Sequence, residues 1–421
     1  MEKMMMEKRG HVLMIPYPSQ GHINPCLQFL KRLVSKGLKT TFVTTNFIYK
    51  SIKPKLGHNI GIESISDGYD IGAKQFGIVG GSFFTQSCAV NNIYYLFEKG
   101  LLKIDHNTVT NSDVLIPGLP IPLQVSDLPS FLSVPGTYPA YLNLVLNQFI
   151  NAEEADWIFI NSFDTLEVQV VDWMTKAFPQ LRMIGPTVPS AYLDNRIKDD
   201  NDYGLNLFQP DSNTCMNWLN SRANGTVVYV SFGSMAELSK EQMEELAMGL
   251  IGSNFYFLWV VKESEEHKLS CKVLGEIETG NKGLVVKWIP QLDVLSHAAV
   301  GCFVTHYGWN STLEALSLGI PMVGIPQWTD QTTNAKFIED EWRVGTRVKV
   351  NDDEKRIWTR KDLEACMMEV MEGARGKEIK RNLSKWRQLA QQSVGIGGSS
   401  DQNLDEFVAK LICSRVPTPE S

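Results

Sequence analysis

Short apolar runs alternate with longer stretches in which apolar residues recur every three or four positions. This alternation continues along most of the chain. Residues 11–16 form an apolar run of strand length. They turn through Tyr17-Pro-Ser-Gln-Gly-His22 into a helix whose apolar face is Leu27, Leu30, Leu33 and Val34 and which Gly37 ends. Residues 38–45 supply the next strand. Strand, helix, strand in this order is a βαβ unit, so an α/β fold with parallel sheets is expected. Further strands are predicted over 60–65, 77–84, 156–161 and 182–185, with helices starting near Phe84 and over 139–152. The stretch 186–202 is rich in Pro, Asp and Asn and reads as a linker. A second α/β half follows, with strands over 226–231, 254–261, 300–305 and 322–325 and helices over 240–249, 360–371, 376–392 and 401–413. The predicted division is 9–190, a linker over 191–215, 216–395, and a last helix over 396–415.

In parallel sheets, functional residues gather at the carboxyl ends of strands. Ser19, Gly21 and His22 lie at such an end. His22 sits near a helix start, where the helix dipole disfavours the imidazolium and leaves a neutral ring able to take a proton. The densest chemistry runs from Trp288 to Gln331. The run 300–305 leads into His306-Tyr-Gly-Trp-Asn-Ser311, and a glycine opening a helix after a strand lets backbone N–H groups approach an anion. His306, Asn310 and Ser311 add side-chain donors. Trp288, beside Ile289 and Gln291, offers a flat face for a base. Glu314 lies one helical turn past Asn310, placed to accept ribose hydroxyls. Asp330 and Gln331 follow the next strand, where a sugar would be held. Ser234, after the strand at 226–231, is read both as the cap of the next helix and as a phosphate contact. Taken singly, the tryptophans would be core aromatics and the acids solvated surface; the joint spacing overturns those readings.

That stretch resembles the donor-binding signature of plant UDP-dependent glycosyltransferases, and Pro-Ser-Gln-Gly-His-Ile-Asn-Pro resembles the same family's N-terminal motif. The resemblance implies a GT-B fold, two Rossmann-like domains facing across a cleft. It implies UDP-glucose as donor substrate, no further cofactor, and His22 as general base. Gly308, Trp309 and the other residues of the signature would form the donor site. Gln331 resembles the glucose-preferring form. Pieces such as Ser66-Asp-Gly-Tyr-Asp, Asp127-Leu-Pro-Ser-Phe and Tyr138-Pro-Ala-Tyr resemble enzymes that glucosylate salicylate and similar small acids. The reaction implied is inverting. One departure is Tyr307, where the family usually has Cys; a bulkier side chain beside the phosphate turn is the expectation.

A second departure lies near residues 72–73. Only 66–76 separate two predicted strands, too few for an ordinary helical crossover. By resemblance, a block of helices and a strand is absent there, and with it the acidic residue that orients the catalytic His. Asp67 and Asp70 do not match that position and read as turn formers. This raises a second reading, a truncated or splice-type product that keeps the UDP-sugar site without turnover.

Composition narrows the class. The chain has 421 residues, 43% hydrophobic and 21% charged, with 40 Lys and Arg against 47 Asp and Glu, a net charge of −7. No basic tract suggests nucleic acid. Seven scattered cysteines without Cys/His spacing argue against a metal and for reduced thiols. No apolar run is long enough to span a membrane. A cytoplasmic monomer acting on a small-molecule acceptor is expected.

Overall fold

The computed structural model describes residues 10–45, 49, 60–65, 79–104, 113–204, 212–349 and 358–413. The first half opens with β1 (His11–Met14), α1 (Gln20–Ser35), β2 (Lys39–Thr45) and β3 (Ile60–Ile65). These strands form a parallel sheet in the order β1-β2-β3, with His11 opposite Lys39 and Thr40 opposite Ile60. Then come β4 (Gly81–Phe84), α2 (Cys88–Glu98), α3 (Ser130–Ser133), α4 (Pro139–Asn147), β5 (Trp157–Ile160), α5 (Val168–Ala177) and β6 (Leu181–Met183). Strands β4, β5 and β6 make a second parallel sheet in that order. α6 (Ser212–Asn220) starts inside the stretch read as linker.

The second half is one six-stranded parallel sheet, β12-β11-β10-β7-β8-β9. Its elements are β7 (Val227–Ser231), α7 (Lys240–Gly252), β8 (Tyr256–Val260), α8 (Cys271–Gly280), β9 (Gly283–Val286), α9 (Gln291–Leu295), β10 (Val300–Thr305), α10 (Trp309–Leu318), β11 (Met322–Gly324), α11 (Gln331–Lys336) and β12 (Gly345–Arg347). α12 (Arg360–Met371), α13 (Ala374–Val394) and α14 (Ser399–Cys413) close the chain. β10 is buried at every position, as expected of a central parallel strand covered on both faces.

Several sequence expectations are corrected. The strand expected over 77–84 is Gly81–Phe84, and residues 77 and 78 lie outside the described residues. The same holds for the 72–73 junction and for Asp67 and Asp70. The helix expected over 139–152 stops at Asn147, and Ile150, assigned to its apolar face, is exposed. Ser239, not Ser234, caps α7 by accepting from the Gln242 N–H. β9 and β12, with four and three residues, are too brief for an apolar pattern to separate them from loop.

The N-terminal half is split. β1 and β4 each end their sheet, and among the described residues neither outer edge has a strand partner. One side is well covered. Phe29 of α1 lies 5.3 Å from Phe83, 5.1 Å from Phe159 and 6.4 Å from Phe407 of α14. Val12 and Met14 pack into the same cluster. The other face of β1 is open, with Leu13 61% and Ile15 63% exposed.

Tyr307 does not crowd the phosphate turn. Its backbone adopts φ +64°, and its ring turns down into the core, fully buried. The hydroxyl donates to the Thr346 carbonyl at 2.7 Å. Two glycines make the room. A Cβ on Gly324 of β11 would sit 1.6 Å from the Tyr307 ring, and one on Gly345 of β12 would sit 2.8 Å from its hydroxyl. Gly324→Ala is therefore expected to cost on the order of 1–3 kcal/mol in urea unfolding. In a Tyr307→Cys background the same change should cost little. Additive effects in that double-mutant cycle would overturn the account.

Candidate active site

The carboxyl ends of the strands in both halves meet in one cleft, and named bonds hold them there. α1 begins at Gln20, so His22 sits in its first turn, half-buried. Pro25 lies inside α1. It has no N–H, so the carbonyl four residues earlier, that of Gly21, loses its helical partner. That carbonyl accepts instead from the Asn310 amide across the cleft, at 2.8 Å. The base candidate and the phosphate turn are thus tied by one bond, one residue from His22.

The His22 Nδ1 lies 2.9 Å from the Thr85 hydroxyl, just beyond the end of β4. Burial lowers the pKa of His22 below the usual histidine value. In the tautomer whose Nδ1 donates to Thr85, Nε2 carries the lone pair that can take a proton. Thr85 fixes the ring but brings no charge to stabilise the protonated form. Sequence reading missed this partner because a threonine 63 residues away carries no local signal. The start of α2 beside it is occupied: Glu167 accepts from the N–H groups of Cys88 and Ala89 at 3.0 and 2.8 Å.

On the opposite wall, Gly308 caps α10, leaving the first N–H groups of the helix without helical acceptors. His306 is wedged between Gly233 and Gly308, where an added Cβ would come within 2.9 and 2.5 Å of its ring. Burial, and secondarily the Lys262 charge, lower its pKa to about 4. At neutral pH it therefore offers a dipolar N–H donor rather than a cation. Lys262 donates to the Ser234 and Ala236 carbonyls at 3.3 and 2.7 Å, bracing the loop after β7 that carries Ser234.

The residues read from the sequence as a nucleoside site are already hydrogen-bonded to one another. Gln291, at the start of α9, donates to the Ser311 hydroxyl at 2.9 Å and to Glu314 at 2.6 Å. The other Glu314 oxygen accepts from the Tyr203 hydroxyl at 2.7 Å. Burial raises the Glu314 pKa, and those two donors pull it back. Trp288 is half-buried on the loop between β9 and α9. Ile289, beside it, is buried in the core.

Trp309 has its ring committed to packing. Its indole is buried and donates to the Asn161 carbonyl of the first half at 2.6 Å, leaving only its backbone N–H for an anion. At the far end, Asp330 caps α11 and accepts from Asn334 at 2.8 Å. Burial raises its pKa to about 6. The Gln331 side-chain oxygen accepts from the N–H groups of Gln327 and Trp328 at 2.8 and 3.2 Å. Trp328 stands within 6 Å of Phe131, Tyr138 and Tyr141, so four rings from both halves gather at this end. Among the described residues no cluster of His, Cys, Asp and Glu could hold a metal, and no helix is long and apolar enough to cross a membrane.

Comparison with known proteins agrees with this geometry. The family described as UDP-glucoronosyl and UDP-glucosyl transferase matches residues 121–390. UDP-glycosyltransferase 74F2 of Arabidopsis thaliana is 48% identical over 463 aligned positions, covering 97% of this chain and 99% of its own. The flavonol 7-O-beta-glucosyltransferase UGT74F1 of the same plant is 45% identical, covering 98% and 99%. The crystal structure of Os79 from O. sativa in complex with UDP has a TM-score of 0.88 at 34% identity, covering 95% of this chain and 100% of that one. The two Rossmann-like halves, the opposed strand ends and these relatives together make the chain a GT-B enzyme of the plant UDP-glycosyltransferase family.

Proposed function

We propose that the chain transfers glucose from UDP-glucose to a small plant metabolite, a salicylate-like carboxylic acid or phenol, with inversion. The observation that carries this reading is the placement of His22, half-buried and neutral, across one hydrogen bond from the phosphate turn of α10. In the reaction the acceptor oxygen attacks the anomeric carbon and the bond from that carbon to the diphosphate oxygen breaks. UDP leaves with the electron pair. A hydroxyl acceptor gives its proton to His22 Nε2. The α10 start, His306, Asn310 and Ser311 take up charge on the departing diphosphate. Trp288 stacks the base, Glu314 receives the ribose, and Asp330 and Gln331 hold the sugar. The acceptor side is 9–190 and the donor side 216–395, with 191–215 linking them and 396–415 returning to the first half. The rings of Phe131, Tyr138, Tyr141 and Trp328 suit an aromatic acceptor. The unbridged cysteines support a cytoplasmic setting, and a monomer suffices for the site.

A block absent near 72–73 is part of this proposal. The split first half supports it. So does the alignment to the 74F2 enzyme: 463 positions against 421 residues leave at least 42 unfilled. The consequence is that Thr85 stands where a carboxylate would serve His22 better. A carboxylic acid, with a pKa near ~4, is already ionised at neutral pH and needs no base. Glucose-ester formation is therefore expected to exceed phenol glucosylation. His22→Ala should cut the phenol rate by roughly 10²–10⁴-fold and the ester rate by far less. Product assays on salicylate and on a phenol lacking the acid would show it; equal losses on both would refute the division. A purified chain that binds UDP but forms neither product would instead favour the non-catalytic reading.

The acids add a pH dependence. Asp330, with its pKa raised to about 6, accepts sugar hydroxyls when ionised. As pH falls through that value it protonates, and the KM for UDP-glucose should rise. His22, below its ordinary pKa, is a competent base across neutral pH and loses that competence only in acid. Phenol transfer should thus fall on the acid side in both kcat and kcat/KM, whereas ester formation falls mainly through KM. A KM constant between pH 7 and 5 would remove Asp330 from the donor site.

A further inference from the structure

A strap of the linker reaches from the helix that bears His22 to the carboxylate at the nucleoside end of the cleft. Asp200, nearly fully buried, accepts from Gln28 at 3.2 Å and Lys31 at 2.6 Å, both on α1. The same carboxylate accepts from the Ser190 N–H at 2.7 Å. The Asp202 carbonyl accepts from the same two side chains at 3.2 and 2.7 Å. One residue on, the Tyr203 hydroxyl donates to Glu314 Oε1, while Gln291 donates to Oε2. Each carboxylate oxygen thus has one fixed donor and at least one lone pair left.

We infer that Tyr203 is a positioning residue for the donor, holding the Glu314 carboxylate ionised and aimed at the ribose hydroxyls. This rests on the donor-site reading above. The physical need is specific. A carboxylate buried this deeply is driven toward its protonated form, which would present a hydroxyl where the ribose needs an acceptor. Gln291 alone stabilises one oxygen. Tyr203 stabilises the other from outside the β-sheet half that carries Glu314. Because Asp200 and Asp202 fix the strap to α1, the nucleoside end is referenced to the helix whose first turn holds His22. No property of Tyr203 in the sequence signals this, since it lies outside the run from Trp288 to Gln331.

The test is Tyr203→Phe, which removes one oxygen atom and keeps the ring packing. Calorimetric binding of UDP is compared with that of 2′,3′-dideoxy-UDP for the parent chain and the variant, alongside KM and kcat with UDP-glucose. The parent is expected to bind UDP about tenfold or more tighter than the dideoxy nucleotide. The variant should lose about tenfold for UDP and little for the dideoxy nucleotide, so the preference collapses. KM for UDP-glucose should rise with kcat nearly unchanged. If both nucleotides weaken equally, or if the preference survives, Tyr203 is only structural and the inference falls. If the parent binds neither nucleotide, the donor-site reading itself falls, a different outcome from the survival of the preference. Glu314→Gln in the parent should abolish the preference on its own, and Tyr203→Phe added to it should then change nothing further. An additional loss in that double variant would also count against the proposal.

Discussion

Backbone groups at the mouth of the cleft cannot all be satisfied within their own half, and the structure depends on how they are paired across it. Helix starts and an internal proline release carbonyls and N–H groups at the carboxyl ends of the strands. The other half answers them with side chains. The Gly21 carbonyl, freed by Pro25, takes the Asn310 amide. The Asn161 and Leu166 carbonyls take the indoles of Trp309 and Trp342, whose rings pack on each other at 6.0 Å. Asp127 and Leu128 offer carbonyls to Thr333 and Thr332, and the Ser130 N–H donates to the Thr329 carbonyl. Each bond alone contributes about 1 kcal/mol, but an unmade one in a buried interface costs more. The two halves therefore meet in one arrangement, and that arrangement defines the site.

Chemistry follows from that pairing. The facing turns bring a neutral histidine near a helix start with open N–H groups. Both His22 and His306 are kept neutral by burial, and a neutral ring can accept a proton at one nitrogen and donate a hydrogen bond from the other. The acids differ as well. Burial raises the pKa of both: donors from Tyr203 and Gln291 offset it at Glu314, while Asp330, held by Asn334, is raised to about 6. Side chains of the same type thus meet different electrostatic conditions because their surroundings differ.

The first half carries two three-stranded parallel sheets. α1 and α14 span both of its three-stranded sheets from one side, and the aromatic cluster around Phe29 and Phe407 keeps them together. The opposite face of β1 remains open, exposing Leu13 and Ile15. Burial on one face is enough to hold β1 in register with β2, and register is what delivers His22 to the cleft. Among the described residues, the outer edge of β1 also lacks a strand partner.

The sequence by itself determined the alternation of strands and helices, the parallel sheets and the positions of the two strand-to-helix turns. These are local properties: apolar period, glycines, and polar residues at strand ends. It also marked His22, His306, Asn310, Ser311, Glu314 and Asp330, because each lies a short fixed distance from such a turn. Only the tertiary structure decided what each side chain does. Trp309 and Ile289 lie inside the signature yet bury their side chains in packing, while Thr85 and Tyr203 lie outside it and contact the site directly. Tyr307 was legible as a departure, but its escape into the core required Gly324 and Gly345 on two later strands. Partners 63 and 111 residues apart are chosen by how sheets stack and which polar groups need satisfying, and no local pattern encodes that choice.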